Sequence, residues 1–343
     1  MLDRREFLGY AGFVTAAFAL ARGARELSAP STVYIGSFGG DLRTGEIADD
    51  GTLTVTGTVA GVPDASYLAF HDRFLYTTNE GQGRVTALDR TTNTVLNTQS
   101  SGGAGPTHLS VHPSGHLLTA NYTSGSVAVH ALNDDGSIGE RTDLVQHEGD
   151  RAPHAHQVLP SGDWVLAVDL GTDSVYVYGL ADGTLTRHQQ LRLPAGAGPR
   201  HLAFHPTEPL VYILGELRPE ITVATWENGT LTPGQVIPTA GGGNFPAEIA
   251  VSADGRFVYA SNRGDNTIAA FEVSGDQLTA LGATPTGGDW PRHFTLSPDE
   301  RWLYVSNQNS GTVTWLPRDP ATGTLGAAAG SAAVPSVGIV AWV

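Results

Sequence analysis

The chain has 343 residues, 40% of them hydrophobic, with 43 glycines, 20 prolines and no cysteine, which suits a large packed core rich in turns and excludes disorder. Nineteen Lys+Arg against 34 Asp+Glu give a net charge of -15, which argues against nucleic acid as a partner but leaves room for a local arginine cluster that grips a small anion. Without cysteine there are no disulfides, thiolate nucleophiles, zinc–thiolate sites or lipid-bearing N-terminal cysteine.

The chain opens "MLDRREFLGYAGFVTAAFALARGA". A positive start at Arg4 and Arg5, an apolar run to about Ala21 and small residues after it make an export signal, assigned to residues 1–29. The run is short for a membrane span, which needs roughly 20 residues. "DRREFL" resembles the twin-arginine export motif, with Asp3 where Ser or Thr is usual. The expectation is an exported protein with no stable membrane span after cleavage; the alternative is an uncleaved N-terminal anchor.

From residue 30 onward helix signals are scarce, and six segments share one grammar. A proline turn leads into an apolar strand of about five residues, as in "GPTHLSVHP" and "GPRHLAFHP". A tight turn such as "SADG" or "SPDE" follows, then a second strand ending near Asn, Asp or Glu, a polar turn and a third, alternating strand. A weaker fourth strand, such as "GTLTRHQQL", lies between segments. The opening prolines are Pro63, Pro106, Pro153, Pro199, Pro246, Pro291 and Pro335, spaced 43 to 47 residues apart. Four-stranded units at this period predict an all-β fold, a seven-bladed β-propeller, as a single domain over 30–343. After Pro335 only one strand remains, so N-terminal strands in "TVYIGSFGG" and "GTLTVTGTV" are expected to complete the last blade. The Gly-His and Trp-Asp signature of protein-docking WD repeats is missing.

In a propeller the first strand of each blade lines the channel, so one repeat position becomes a ring at the mouth. Directly after the proline the ring reads Asp64, Thr107, His154, Arg200, Ala247, Arg292 and Ser336. The next position reads Ala65, His108, Ala155, His201, Glu248, His293 and Val337. The second-strand ends offer Asn79, Asn121, Asp169, Glu216, Asn262 and Asn307. Two arginines, Arg200 and Arg292, with an imidazole, His154, and a carboxylate, Glu216, make a site for an anionic, acyl-bearing small molecule. His156, His201, Glu248 and His293 are placed beside them as substrate-binding candidates. Each has a plainer reading. The asparagines cap turns, His112 and His205 hold the next turn, and His108, His201 and His293 fill the inner wall. Arg200 and Arg292 form structural ion pairs with Glu216 or Glu248. "Pro-His-x-His" at Pro153 lacks a third metal ligand of comparable support, so no metal is expected.

"GPRHLAFHP", "PHAHQVLPSGDWVLAVDLGTDSVYVY", "AVSADGRFVYASNRG" and "WPRHFTLSPDERWLYVSNQNSGTV" resemble the seven-bladed lactonase family over about residues 32–343. That family contains propeller-type 6-phosphogluconolactonases and is similar to carboxymuconate lactonizing enzymes. The resemblance implies a lactone hydrolase with no metal or organic cofactor, acting on a small anionic lactone, and a monomer is expected. The family's proposed His, two Arg and Glu fall on His154, Arg200, Arg292 and Glu216. The alternatives are a lactonizing cycloisomerase and an exported, non-catalytic propeller that binds a ligand or partner. Sugar-phosphate metabolism is cytoplasmic, so an exported chain departs from the simplest family reading.

Overall fold

The computed structural model describes residues 31–343; the export signal at residues 1–29 lies outside the described residues. They form seven four-stranded antiparallel sheets, arranged as the blades of a propeller. The single helical element among them is one 3-10 turn, Glu80–Gln82. The inner strands of blades 1 to 7 are Ala65–His71, Pro106–His112, Ala155–Ser161, Pro199–Phe204, Phe245–Val251, Pro291–Leu296 and Val337–Trp342. No helix among the described residues is long and apolar enough to cross a membrane.

The expected closure of the last blade is present. Val33, Tyr34 and Ile35 pair with Trp342, Ala341 and Val340, so the blade draws one strand from the C-terminal end and three from the N-terminal side.

The period-2 alternation of each strand explains how the blades adhere. In Trp164–Asp169, Val165 and Ala167 join a cluster with blade 2 residues such as Leu118 and Val127, while Leu166 and Val168 join one with blade 4 residues such as Val211 and Ile213. Seven such clusters fill the seven interfaces between blades. A recurrent tyrosine ties blade to blade. Tyr76, Tyr259 and Tyr304 each donate Oη–H to a glycine carbonyl in the next blade's outer turn: Gly136, Gly323 and Gly51, at 2.9, 2.8 and 2.7 Å. Gly51 has φ +88°, and a Cβ there would sit 2.4 Å from the Trp302 ring, so only glycine lets the turn approach.

Candidate active site

Every inner strand opens with the same irregularity. In blade 4 Pro199 pairs with Gly215 and His201 with Leu214, so Arg200 is an extra residue pushed out of the ladder. Thr107, His156 and Arg292 are extruded in the same way in blades 2, 3 and 6. A bulge re-aims a side chain, and this one, repeated about the axis, aims a ring of side chains into the channel mouth.

The pairing corrects the rings read from the proline spacing. In blades 1, 3 and 7 the first paired residue is Ala65, Ala155 or Val337, two positions after the proline rather than the proline itself. The ring of Arg200 is therefore Ser66, Thr107, His156, Arg200, Ala247, Arg292 and Gly338, without Asp64, His154 or Ser336. One step on lie Tyr67, His108, Gln157, His201, Glu248, His293 and Ile339. Gly215, not Glu216, matches Asn79, Asn121, Asp169, Asn262 and Asn307. Glu216 belongs with the residues one position further along, among them Glu80, Tyr122, Arg263 and Phe38. Gly338 is forced, because a Cβ there would lie 2.9 Å from the Ser66 carbonyl oxygen and 3.1 Å from the Phe38 ring.

A cavity opens at the centre of these rings. Six of the eight residues singled out from the sequence line it: Arg200, Arg292, His156, His201, Glu248 and His293. Phe38, Ser66, Tyr67, Glu80, Thr107 and Gly338 complete its wall. His154 and Glu216 do not line it; they stand on the rim.

The mouth layer is charged. Arg200 Nε and Arg263 Nη2 lie 3.1 and 2.8 Å from the same Glu216 oxygen, Oε2. Arg200 also donates through Nη1 to the Ala247 carbonyl. The structural ion pair between Arg200 and Glu216 is thus real, and Glu216 is held by two guanidiniums. Arg292 differs. Among the described residues no carboxylate lies within 4 Å of it; its guanidinium sits 4.7 Å from the Phe38 ring centre. Burial, then Arg263 and Arg292, pushes Arg200 down to about 9, and burial also lowers Arg292, against the attraction of Glu80. An arginine stays cationic at neutral pH even so. A half-buried cation that lines a cavity with no carboxylate within 4 Å is set up for an incoming anion.

The floor layer, with His156 of the mouth ring beside it, is built of imidazoles around one carboxyl. Glu248 Oε1 lies 2.9 Å from His201 Nδ1 and accepts the Ile249 N–H at 3.0 Å, while His293 Nε2 is 3.6 Å from Oε2. Burial pushes Glu248 upward, against His293 and Arg200. It drives His108, His156 and His201 well below the usual imidazole value, and His293 down to about 4. His156 Nδ1, His201 Nε2, His293 Nδ1 and Glu248 Oε2 are buried with no hydrogen-bond partner among the described residues.

His154 is anchored at the rim. Its Nδ1 lies 3.0 Å from the Tyr122 carbonyl, which can only accept, so Nδ1 carries the proton and Nε2 is the free nitrogen. The ring stacks on Tyr122 at 4.5 Å. Its backbone N–H donates to Asp169 Oδ1 at 2.9 Å, and Asp169 Oδ2 lies 2.7 Å from His147 Nδ1. Among the described residues no group of three or more His, Asp or Glu is arranged to hold a metal ion.

Sequence reasoning missed Arg263, Glu80, Tyr67, Tyr122 and Phe38. A signal existed for two of them: Arg263 and Glu80 each follow directly on an asparagine at or next to the end of a second strand, Asn262 and Asn79.

A seven-bladed propeller with paired arginines at its channel mouth has the form of a small-molecule site built on a rigid scaffold. The family model for seven-bladed β-propeller lactonases matches residues 32–342, and the chain belongs to that family. It is 40% identical over 214 residues to a 6-phosphogluconolactonase of Bacillus subtilis, a match covering 57% of this chain and 61% of that protein. It thus spans about three fifths of that relative's length. Among solved structures it is similar to the periplasmic gluconolactonase of Pseudomonas aeruginosa, with TM-score 0.85 and 29% identity over 92% of this chain and 99% of the other. A putative 6-phosphogluconolactonase from Bacteroides fragilis gives TM-score 0.86 and 27% identity over 92% and 98%.

Proposed function

We propose that the protein is a lactone hydrolase that acts on a small anionic lactone, of sugar-acid type, at the mouth of the propeller channel. The observation that carries this reading is Arg292, a half-buried guanidinium with no carboxylate within 4 Å among the described residues, lining the same cavity as Arg200. Arg292 anchors the substrate's carboxylate or phosphate and orients the ring. Arg200, fixed by Glu216 and the Ala247 carbonyl, stabilises the oxyanion that forms on the lactone carbonyl. Glu216 keeps Arg200 and Arg263 in place, and His154, its Nε2 free at the rim, meets substrate as it enters. The names of the Bacillus and Pseudomonas relatives agree with this chemistry. No step in it calls for a metal or organic cofactor.

The test is acid release in a pH-stat from glucono-δ-lactone, its 6-phosphate and an uncharged aliphatic lactone. Hydrolysis that favours the charged substrate is expected; silence across the panel would point to a ligand-binding propeller. We further propose that the chain works outside the cytoplasm, delivered by the Arg4–Arg5 signal. Changing both arginines to lysine should retain the protein in the cytoplasmic fraction, and unchanged export would remove that claim.

A further inference from the structure

The arginines of the mouth bind and polarise, but they cannot take a proton from water at neutral pH. The floor contains a group that can. His201 is the imidazole whose Nδ1 lies at hydrogen-bond distance, 2.9 Å, from a buried carboxylate, Glu248 Oε1. Oε1 already accepts the Ile249 N–H, so it serves as an acceptor and Nδ1 as the donor. That fixes the tautomer: Nε2 carries the lone pair. Nε2 is buried without a hydrogen-bond partner among the described residues, on a residue that lines the cavity. A carboxylate behind one ring nitrogen and an open lone pair on the other is the arrangement by which a neutral imidazole becomes a general base.

We propose that His201 Nε2 is the general base that activates the attacking water, and that Glu248 is its positioning residue. This deepens, and rests on, the reading of the protein as a lactone hydrolase. The water oxygen bonds to the lactone carbonyl carbon while its proton passes to Nε2. The tetrahedral oxyanion collapses, the ring C–O bond breaks, and the imidazolium returns the proton to the departing ring oxygen. The product is an open-chain hydroxy acid, which releases its carboxyl proton to solvent.

The surroundings explain why the carboxylate is needed. Arg200, Arg292 and Arg263 repel a protonated His201 from above. Around it stand the rings of His108 at 5.6 Å, His156 at 5.1 Å and Tyr67 at 6.3 Å, with His293 on the far side of Glu248. Among the described residues Glu248 is the one carboxylate in contact with His201, so it stabilises the imidazolium formed during the reaction.

His201→Asn tests the base, because the Asn amide keeps a donor toward Glu248 and deletes Nε2. With folding checked by thermal melting, kcat on the substrate the wild type prefers should fall about 100-fold or more, with KM changed by only a few fold. Glu248→Gln tests the positioning. Removing the counter-charge should lower kcat about 10-fold and move the acid limb of its pH profile to lower pH, and Glu248→Asp should recover part of the rate. The wild type's own acid limb should lie below the ordinary imidazole value of about 6.5. A folded His201→Asn within threefold of wild-type kcat would overturn the proposal and leave the lactonase reading standing. Should His201→Asn fail to fold, an unchanged acid limb in Glu248→Gln, or a wild-type limb at the ordinary imidazole value, would overturn it equally. A wild type that cleaves no lactone would remove the lactonase reading, and this proposal with it.

Discussion

The mouth and the floor of the cavity stand one residue apart along each inner strand, yet they solve the burial of polar groups in opposite ways. At the mouth the groups keep their charge: Arg200 and Arg263 share Glu216, and Arg292 leans on Phe38. At the floor, and at His156 beside it, burial favours the neutral forms of His108, His156, His201 and His293, while Glu248 is pushed upward by burial and held back by His293 and Arg200. Desolvation penalises charge, and its cost is offset only where opposite charges meet at short range. The outer layer is therefore fit to hold an anion and the inner one to pass a proton.

Both layers exist only if the ring of blades is closed. Removing residues 334–343 takes away the inner strand of blade 7 and, with it, Gly338. Cooperative unfolding should be lost or the melting temperature should fall sharply, as followed by circular dichroism; an unchanged melt would break the comparison at its base. The next largest effect separates the two arginines. Arg292→Ala should lower kcat/KM on an anionic lactone by about 100-fold while shifting the melting temperature by no more than about 2 °C. Arg200→Ala should cost activity and also about 2 kcal/mol of stability in denaturant melts, because it breaks a buried ion pair and leaves the Ala247 carbonyl without its donor. Equal stability of the two variants would show that the ion pair with Glu216 contributes nothing. The floor is probed by acid. His108, His156, His201 and His293 each have a folded-state value below the unfolded one, so their contribution is present above about 6.5 and is lost as pH falls from there. For His293, lowered to about 4, the loss by that pH is about 3 kcal/mol. Glu248 acts in the opposite sense, since its raised value costs stability as pH climbs past the usual carboxylate range. With four imidazoles against one carboxyl, the melting temperature should drop between pH 7 and pH 5, and a flat profile there would mean that the floor is hydrated and already charged.

The blades were legible because each must present a turn, an inner strand and an alternating pair, and the prolines mark that period. The ring composition was only partly legible. Proline shapes the turn, but the ladder decides which residue is first in the strand. In blades 1, 3 and 7 two residues intervene, and that slip put His154 where His156 belongs. Bulges have no fixed residue signature, so Arg200 and Arg292 were found by chemistry and their extruded geometry was not. Glu216 was recognised as unusual but matched to Gly215's ring, which hid its kinship with Arg263 and Glu80. The pairing of His201 with Glu248 joins residues 47 apart on neighbouring blades and is invisible without the register.

The wall of the cavity includes Phe38 and Gly338, which lie three hundred residues apart and meet only in blade 7. A growing chain that has completed six blades holds every arginine and histidine of the site but has no enclosure to put them in. The wall is complete only when the strand Val337–Trp342 seats against Ser31–Ser37 and brings Gly338 beside Phe38. Ligand binding and proton transfer would thus be late-arriving properties of this molecule, gained in one step with ring closure.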